Sequence, residues 1–205
     1  MKHYRVHRIS KSTPTPDWSQ ADVLTDFCFP WEERQVPVTE FRALWDEERL
    51  YFRFDCVDED LVLGDGDTLK DRVLGSDRVE IFLTPDLSLT PYYCFEMSPR
   101  GEVLAYQARF HRQIDWNWTC PNFQISACIE APHYRVAGSL PLANLRALNV
   151  LKPDSREFYA GVYRGEFRHR PDGSVQHGWM PWVNPQTEEP DFHVPESIGV
   201  FVLQD

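Results

Sequence analysis

Between Leu50 and Val57 the chain alternates with period two. Leu50, Phe52, Phe54 and Cys56 are apolar, while Tyr51, Arg53 and Asp55 between them are polar. An extended strand puts every second side chain on one face, so this stretch predicts a strand with one side on a core and the other in water. The same rule predicts strands over 3–9, 38–45, 77–84, 92–98, 102–107, 123–129, 134–140, 158–169 and 198–203. In 77–84 the inward set is Val79, Ile81 and Leu83, and the outward set is Arg78, Glu80 and Phe82. Turn residues separate the strands, as in Asp46-Glu47-Glu48-Arg49, Pro99-Arg100-Gly101 and Arg170-Pro171-Asp172-Gly173. Helical room remains at 141–148 and, for one or two turns, between Trp18 and Phe29, where Pro30 stops it. Residues 11–16 read as a polar link and 58–72 as an acidic loop. Gly161 and Gly165 mark close backbone approach or a bulge within 158–169. Many strands, frequent turns and no long amphipathic helix predict an all-β fold. The expected architecture is an antiparallel, jelly-roll-like β-sandwich with one or two short helices. The chain has 205 residues, 42% of them hydrophobic, which fits a single domain over 1–205 with a full core.

The formal net charge is -11. Phosphate binding needs clustered Lys and Arg, so the charge argues against nucleic acid and against an anionic membrane surface. Five cysteines, an odd number with no Cys-x-x-Cys pair, make a poor disulfide framework and a poor zinc site. Cys56 and Cys94 fall inside apolar strand patterns and are expected as buried thiols. No signal peptide or membrane-length apolar run is visible, so the chain as written reads as cytoplasmic.

A second feature is the segment from His177 to Pro185, which holds Trp179 before Pro181, and Trp182 and Asn184 between Pro181 and Pro185. Proline removes a backbone donor, which argues against a helix or a plain core strand here. A proline-stiffened loop can present flat aromatic faces to a ligand; equally, Trp179 and Trp182 can be core residues at a sandwich edge. Trp116 and Trp118 lie two apart, so on extended backbone they share a face, either widening a binding surface or covering the core.

Six stretches, taken in order, resemble the family 9 carbohydrate-binding modules, closest to their stand-alone branch. They are Leu50-Tyr51-Phe52-Arg53-Phe54, then Ser76-Asp77-Arg78-Val79-Glu80-Ile81-Phe82, then Tyr92-Tyr93-Cys94-Phe95-Glu96 and Tyr163-Arg164, then His177 to Trp182, and Pro190 to Gly199. The resemblance covers most of the chain. It implies a β-sandwich that binds the end or reducing terminus of a glycan, with tryptophans sandwiching a sugar ring, and structural calcium in some members. It makes Glu80 the sugar-contacting acid of an Asp-x-Val-Glu-x-Phe motif and Trp182 the tryptophan of the C-terminal segment. Where the family has a second tryptophan before that glutamate, this chain has Leu74, an apolar contact without a flat ring.

A sugar has an apolar C–H face and a rim of hydroxyls. Trp182 or Trp179 would cover the face. Glu80 would accept from two hydroxyls, and Arg164 and Asn184 would donate. Each polar residue also has a structural reading: Glu80 paired with Arg78, Arg164 paired with Glu166 or Glu96, and Asn184 starting a turn before Pro185. The acidic loop lacks EF-hand spacing and is expected as a solvated loop. His193 is expected to brace the C-terminal segment by hydrogen bonds. The expected function is non-catalytic binding of a mono-, di- or oligosaccharide, with no cofactor beyond calcium. The alternatives are a haem or redox domain using Met97 or Met180, a protein-partner surface, and a glycosidase using Glu80 with Glu96 or with an aspartate of the acidic loop.

Overall fold

The computed structural model of the chain describes residues 1–10 and 15–205, so the first four residues of the expected polar link lie outside the described part. The first strand, β1 (His3–Arg8), is followed by the hairpin β2 (Thr39–Trp45) and β3 (Arg49–Val57). A short helix, α1 (Leu69–Leu74), leads into β4 (Arg78–Thr84), β5 (Tyr92–Met97), β6 (Val103–Arg109) and the short β7 (Gln113–Asp115). Next come β8 (Gln124–Glu130), β9 (His133–Pro141) and α2 (Leu142–Ala147). The chain closes with β10 (Glu157–Gly165), a small hairpin of β11 (Arg168–His169) and β12 (Val175–Gln176), β13 (Trp179–Pro181) and β14 (Gly199–Gln204).

Twelve strands make one sheet in the order β7-β6-β5-β4-β10-β14-β1-β2-β3-β9-β8, with β13 beside β10. The sheet folds over itself as a β-sandwich around a main core that holds Phe41, Phe52, Phe54, Ile81, Phe95, Val136, Val162, Trp182 and Phe201. The pairing is mixed. β1 lies between β14 and β2 and runs parallel to both, while the other pairs are antiparallel. Alternation cannot report this, because it sets which face a residue takes and not the direction of the neighbouring strand.

β4, β5 and most of β10 are buried on both faces, while β6 alternates buried with half-buried positions. On β4, Val79, Ile81 and Leu83 enter the main core. Phe82 of the outward set enters a second cluster with Val73, Tyr92, Tyr106, Tyr163, Phe192 and Ile198, closed over by α1 and the C-terminal segment. Gly161 serves this side: a Cβ there would sit 2.0 Å from the Tyr163 hydroxyl, which reaches Ser197 Oγ at 2.8 Å.

Helix α1 starts inside the stretch read as an acidic loop and runs two residues past its end. Thr68 caps it, accepting from the Asp71 N–H at 3.1 Å and donating to Asp71 Oδ2 at 2.6 Å, while Val73 enters the second cluster. The helical turns expected from Trp18 reduce to one 3-10 turn, Trp18–Gln20. Helix α2 falls within the expected 141–148. Cys56 and Cys94 are buried free thiols.

Candidate functional site

Glu80 of β4 and Glu96 of β5 stand directly opposite each other on the second face. Like charges in register repel. Arg78, two residues before Glu80 and therefore on the same face, relieves this. Its Nε lies 2.9 Å from Glu80 Oε1 and 2.7 Å from Glu96 Oε2. Nε carries one hydrogen, and that hydrogen is directed at Glu80. Glu96 Oε1 accepts from the Tyr106 hydroxyl at 2.8 Å, whereas Glu96 Oε2 is buried and accepts no hydrogen bond among the described residues. Arg78 Nη1 donates to the carbonyl of Leu74 at 3.2 Å.

These groups floor a cavity of about 220 Å³. One wall is Trp179, whose ring lies over the Arg78 guanidinium at 4.9 Å and meets Phe167 and Phe192 edge-on. Leu74, at the end of α1, and Trp116, just after β7, also line the cavity, as do Ile114, Phe192 and His193. Arg112 stands at the lining and donates to Asp191 Oδ1 at 3.0 Å. Asp191 Oδ2 pairs with His111 at 2.5 Å, which ties the loop after β6 to the C-terminal segment.

Burial first, and then the neighbouring Glu96, push the Glu80 carboxyl up to about 8 against the pull of Arg78. The unfolded chain loses this proton near 4.5, the ordinary glutamate value. Between these values the folded protein holds a proton that the unfolded chain has released, so this group lowers stability as pH rises through the window. Glu80→Gln is therefore expected to flatten the decline in Tm between pH 5 and pH 8.5, measured by calorimetry. An equally steep decline in the variant would refute the assignment. His193, its imidazole kept neutral by burial, has Nδ1 2.8 Å from the Tyr92 hydroxyl, and the His193 backbone N–H donates to Asp191 Oδ1.

The cavity brings together Glu80, Trp179 and Leu74 from the residues singled out in the sequence. Trp182, Arg164 and Asn184 lie elsewhere. Trp182 is 2% exposed and packs against Phe201, and a Cβ on Gly199 would come within 2.3 Å of its ring. Trp182 lies one residue past β13, still tied to β10 by its N–H donating to the Val162 carbonyl at 3.0 Å, and at an odd separation of three it faces the side of the sheet opposite Trp179. Pro181 is tolerated there because β13 has a partner on one side only. Arg164 pairs with Val79, one position out of step with Glu80, so it points into the main core. There Arg164 donates to Thr39 Oγ1 at 2.8 Å, to Asp58 Oδ2 at 3.1 Å and to Glu166 Oε2. Asn184 is exposed, and its Oδ1 accepts from the Gln186 N–H at 2.8 Å in a turn. Met97 and Met180 are fully buried in the main core. Trp116 and Trp118 do not share a face. The strand ends at Asp115, whose carboxylate caps the next turn at Asn117, and Trp118 turns back onto Tyr93 and Phe95.

Asp58, Asp77 and Glu166 are the acidic residues that converge, with ligand oxygens within 4.8 Å of one another, whereas Asp65, Asp67 and Asp71 stay exposed. The trio does not fit calcium. Both Asp77 oxygens accept backbone N–H groups, from Val62 and Phe167, and Arg164 holds Asp58 and Glu166. A guanidinium supplies the positive charge that a cation would bring.

The model of a domain family described as carbohydrate family 9 binding domain-like matches residues 13–205. No curated protein matches the chain in sequence. Among solved structures, a candidate carbohydrate-binding protein from Bacteroides uniformis is similar at a TM-score of 0.73 and 14% identity, with 99% of each chain covered. A family 9 carbohydrate-binding module from Caldicellulosiruptor kristjanssonii in complex with glucose is similar at 0.61 and 15% identity, over 99% of this chain and 96% of that one. A module of the same family and organism with cellotriose gives 0.60 and 13%, over 99% and 94%. At such identities the structural likeness speaks for the fold alone, while the sequence model spans nearly the whole chain: the protein belongs to the carbohydrate family 9 binding domain-like family.

Proposed function

We propose that the protein is a non-catalytic carbohydrate-binding domain that holds the terminal residue of a neutral glycan in the Glu80–Glu96 cavity. The observation that carries this is Glu96 Oε2, buried on the floor of a cavity walled by an indole, ion-paired with Arg78 Nε at 2.7 Å yet accepting no hydrogen bond among the described residues. The ion pair supplies charge but its one hydrogen goes to Glu80, so Glu96 Oε2 keeps a free acceptor site to which a sugar hydroxyl can donate. Glu80 offers a second acceptor, and Arg78 Nη2, which none of the bonds above uses, a donor. Trp179 covers an apolar C–H face. The volume lies below the ~300–1,000 Å³ of sites for drug-sized ligands, which suits one ring entering end-on. Structures related in fold carry glucose and cellotriose. A wider groove of about 560 Å³ runs past Trp18 and Tyr51, but Arg49, Ser139 and Gln124 there are bonded to one another. Binding suits the carboxyl pair better than cleavage: Glu80 and Glu96 are neighbours on one floor, tied to one guanidinium, and do not flank a ligand from two sides.

Calorimetric titration with glucose and cellotriose at pH 9, where Glu80 is ionised, tests this. Few aromatic contacts imply a Kd on the order of millimolar to micromolar, with binding lost in Glu80→Gln. No heat with the folded wild type would remove the reading, and undiminished binding in Glu80→Gln would move the site.

A further inference from the structure

We infer that Trp116 is the second aromatic wall of the sugar cavity, delivered from the edge strand β7 and not from the helix before Glu80. The inference rests on the sugar reading of that cavity. Leu74, where α1 ends, gives the cavity an aliphatic side with no flat ring. The ring beside it comes from a different element. β7 pairs with β6 so that Ile114 lies opposite Ala108, on the second face, and Trp116 follows on the same side, tilted against Tyr106 at 4.8 Å between ring centroids. Tyr106 in turn donates to Glu96, so the wall and the floor are mechanically joined.

Three observations separate Trp116 from a tryptophan that merely covers core. It is 38% exposed, unlike Trp182. It lines the cavity together with Trp179, and each indole rests on its own supports, Tyr106 on one side and Phe192 with Phe167 on the other. Finally, the Lys70 ammonium sits 3.8 Å from the centroid of the Trp116 ring, yet Lys70 does not line the cavity. A cation on one face of an indole, with Tyr106 also packed against it, fixes the plane of a ring that still lines the cavity. Lys70 is thus a positioning residue, and Trp116 is the ring that would touch the ligand.

The test compares wild type, Trp116→Ala, Trp116→Phe and Glu80→Gln by calorimetric titration with cellotriose at pH 9. Each variant is first checked to unfold cooperatively with a Tm well above the titration temperature. The expected result is affinity about tenfold or more weaker in Trp116→Ala, an intermediate value in Trp116→Phe, and no binding in Glu80→Gln. Cellotriose is also expected to protect wild-type tryptophan emission from iodide quenching, and to protect it less in Trp116→Phe. Wild-type affinity in Trp116→Ala, with Glu80→Gln inactive, overturns the role of Trp116 and leaves the site standing. Wild-type affinity in both variants, or no binding by the wild type, overturns the site itself.

Discussion

Replacing Arg164 with methionine is expected to destabilise the fold by about 3–5 kcal/mol, the usual cost of removing one partner from a buried ion pair. Arg164 is fully buried and holds two carboxylates, Asp58 and Glu166, that are themselves nearly inaccessible. Methionine restores much of the volume, so the loss would report charge and hydrogen bonding and not a cavity. Arg34 remains on Glu166 Oε1 at 3.0 Å and holds part of that charge. Asp58 loses its ion-pair partner. Because a protonated carboxyl needs no counter-charge, the deficit in the variant is expected to shrink toward acidic pH. Urea unfolding at pH 8 and pH 5 measures it. A loss below about 1 kcal/mol at pH 8 would mean that the cluster is hydrated and that Arg164 does not anchor the two sheet halves.

The same residue shows what alternation can and cannot reveal. Period-two patterns marked most strands, because a half-buried strand writes its burial into the sequence, as in Leu50, Phe52, Phe54 and Cys56. They also put Arg78 and Glu80 on one face. Whether Arg164 shares that face depends on the β4–β10 register, in which it pairs with Val79, and register between distant strands is a tertiary property. Helix α1 was hidden because it is only six residues long and buries Val73 alone, while Leu69, Lys70 and Asp71 are exposed. Strand β13 was hidden by Pro181, which an edge position accommodates. Trp116 carried a signal, an indole two residues from another in a polar stretch, but the turn capped by Asp115 that separates the pair is visible only in three dimensions.

The largest contrast is expected between two tryptophans three residues apart. Trp182→Ala removes a ring that is 2% exposed and packed on Phe201, and should cost about 3–5 kcal/mol, a fall in Tm on the order of 10 °C. Titrated with cellotriose well below its Tm, this variant should bind within about threefold of wild type, since its side chain faces away from the cavity and a factor of three is under 1 kcal/mol. Trp179→Ala removes a half-buried ring that lines the cavity over Arg78, and should weaken binding about tenfold or more with a smaller loss of stability. The strand geometry of β13 forces this division of labour, because residues of odd separation on extended backbone cannot serve one face. If Trp182→Ala abolished binding at unchanged Tm while Trp179→Ala bound normally, the two rings would have exchanged faces. The pairing of Trp179 with Gly165, and the cavity built on it, would then have to be abandoned.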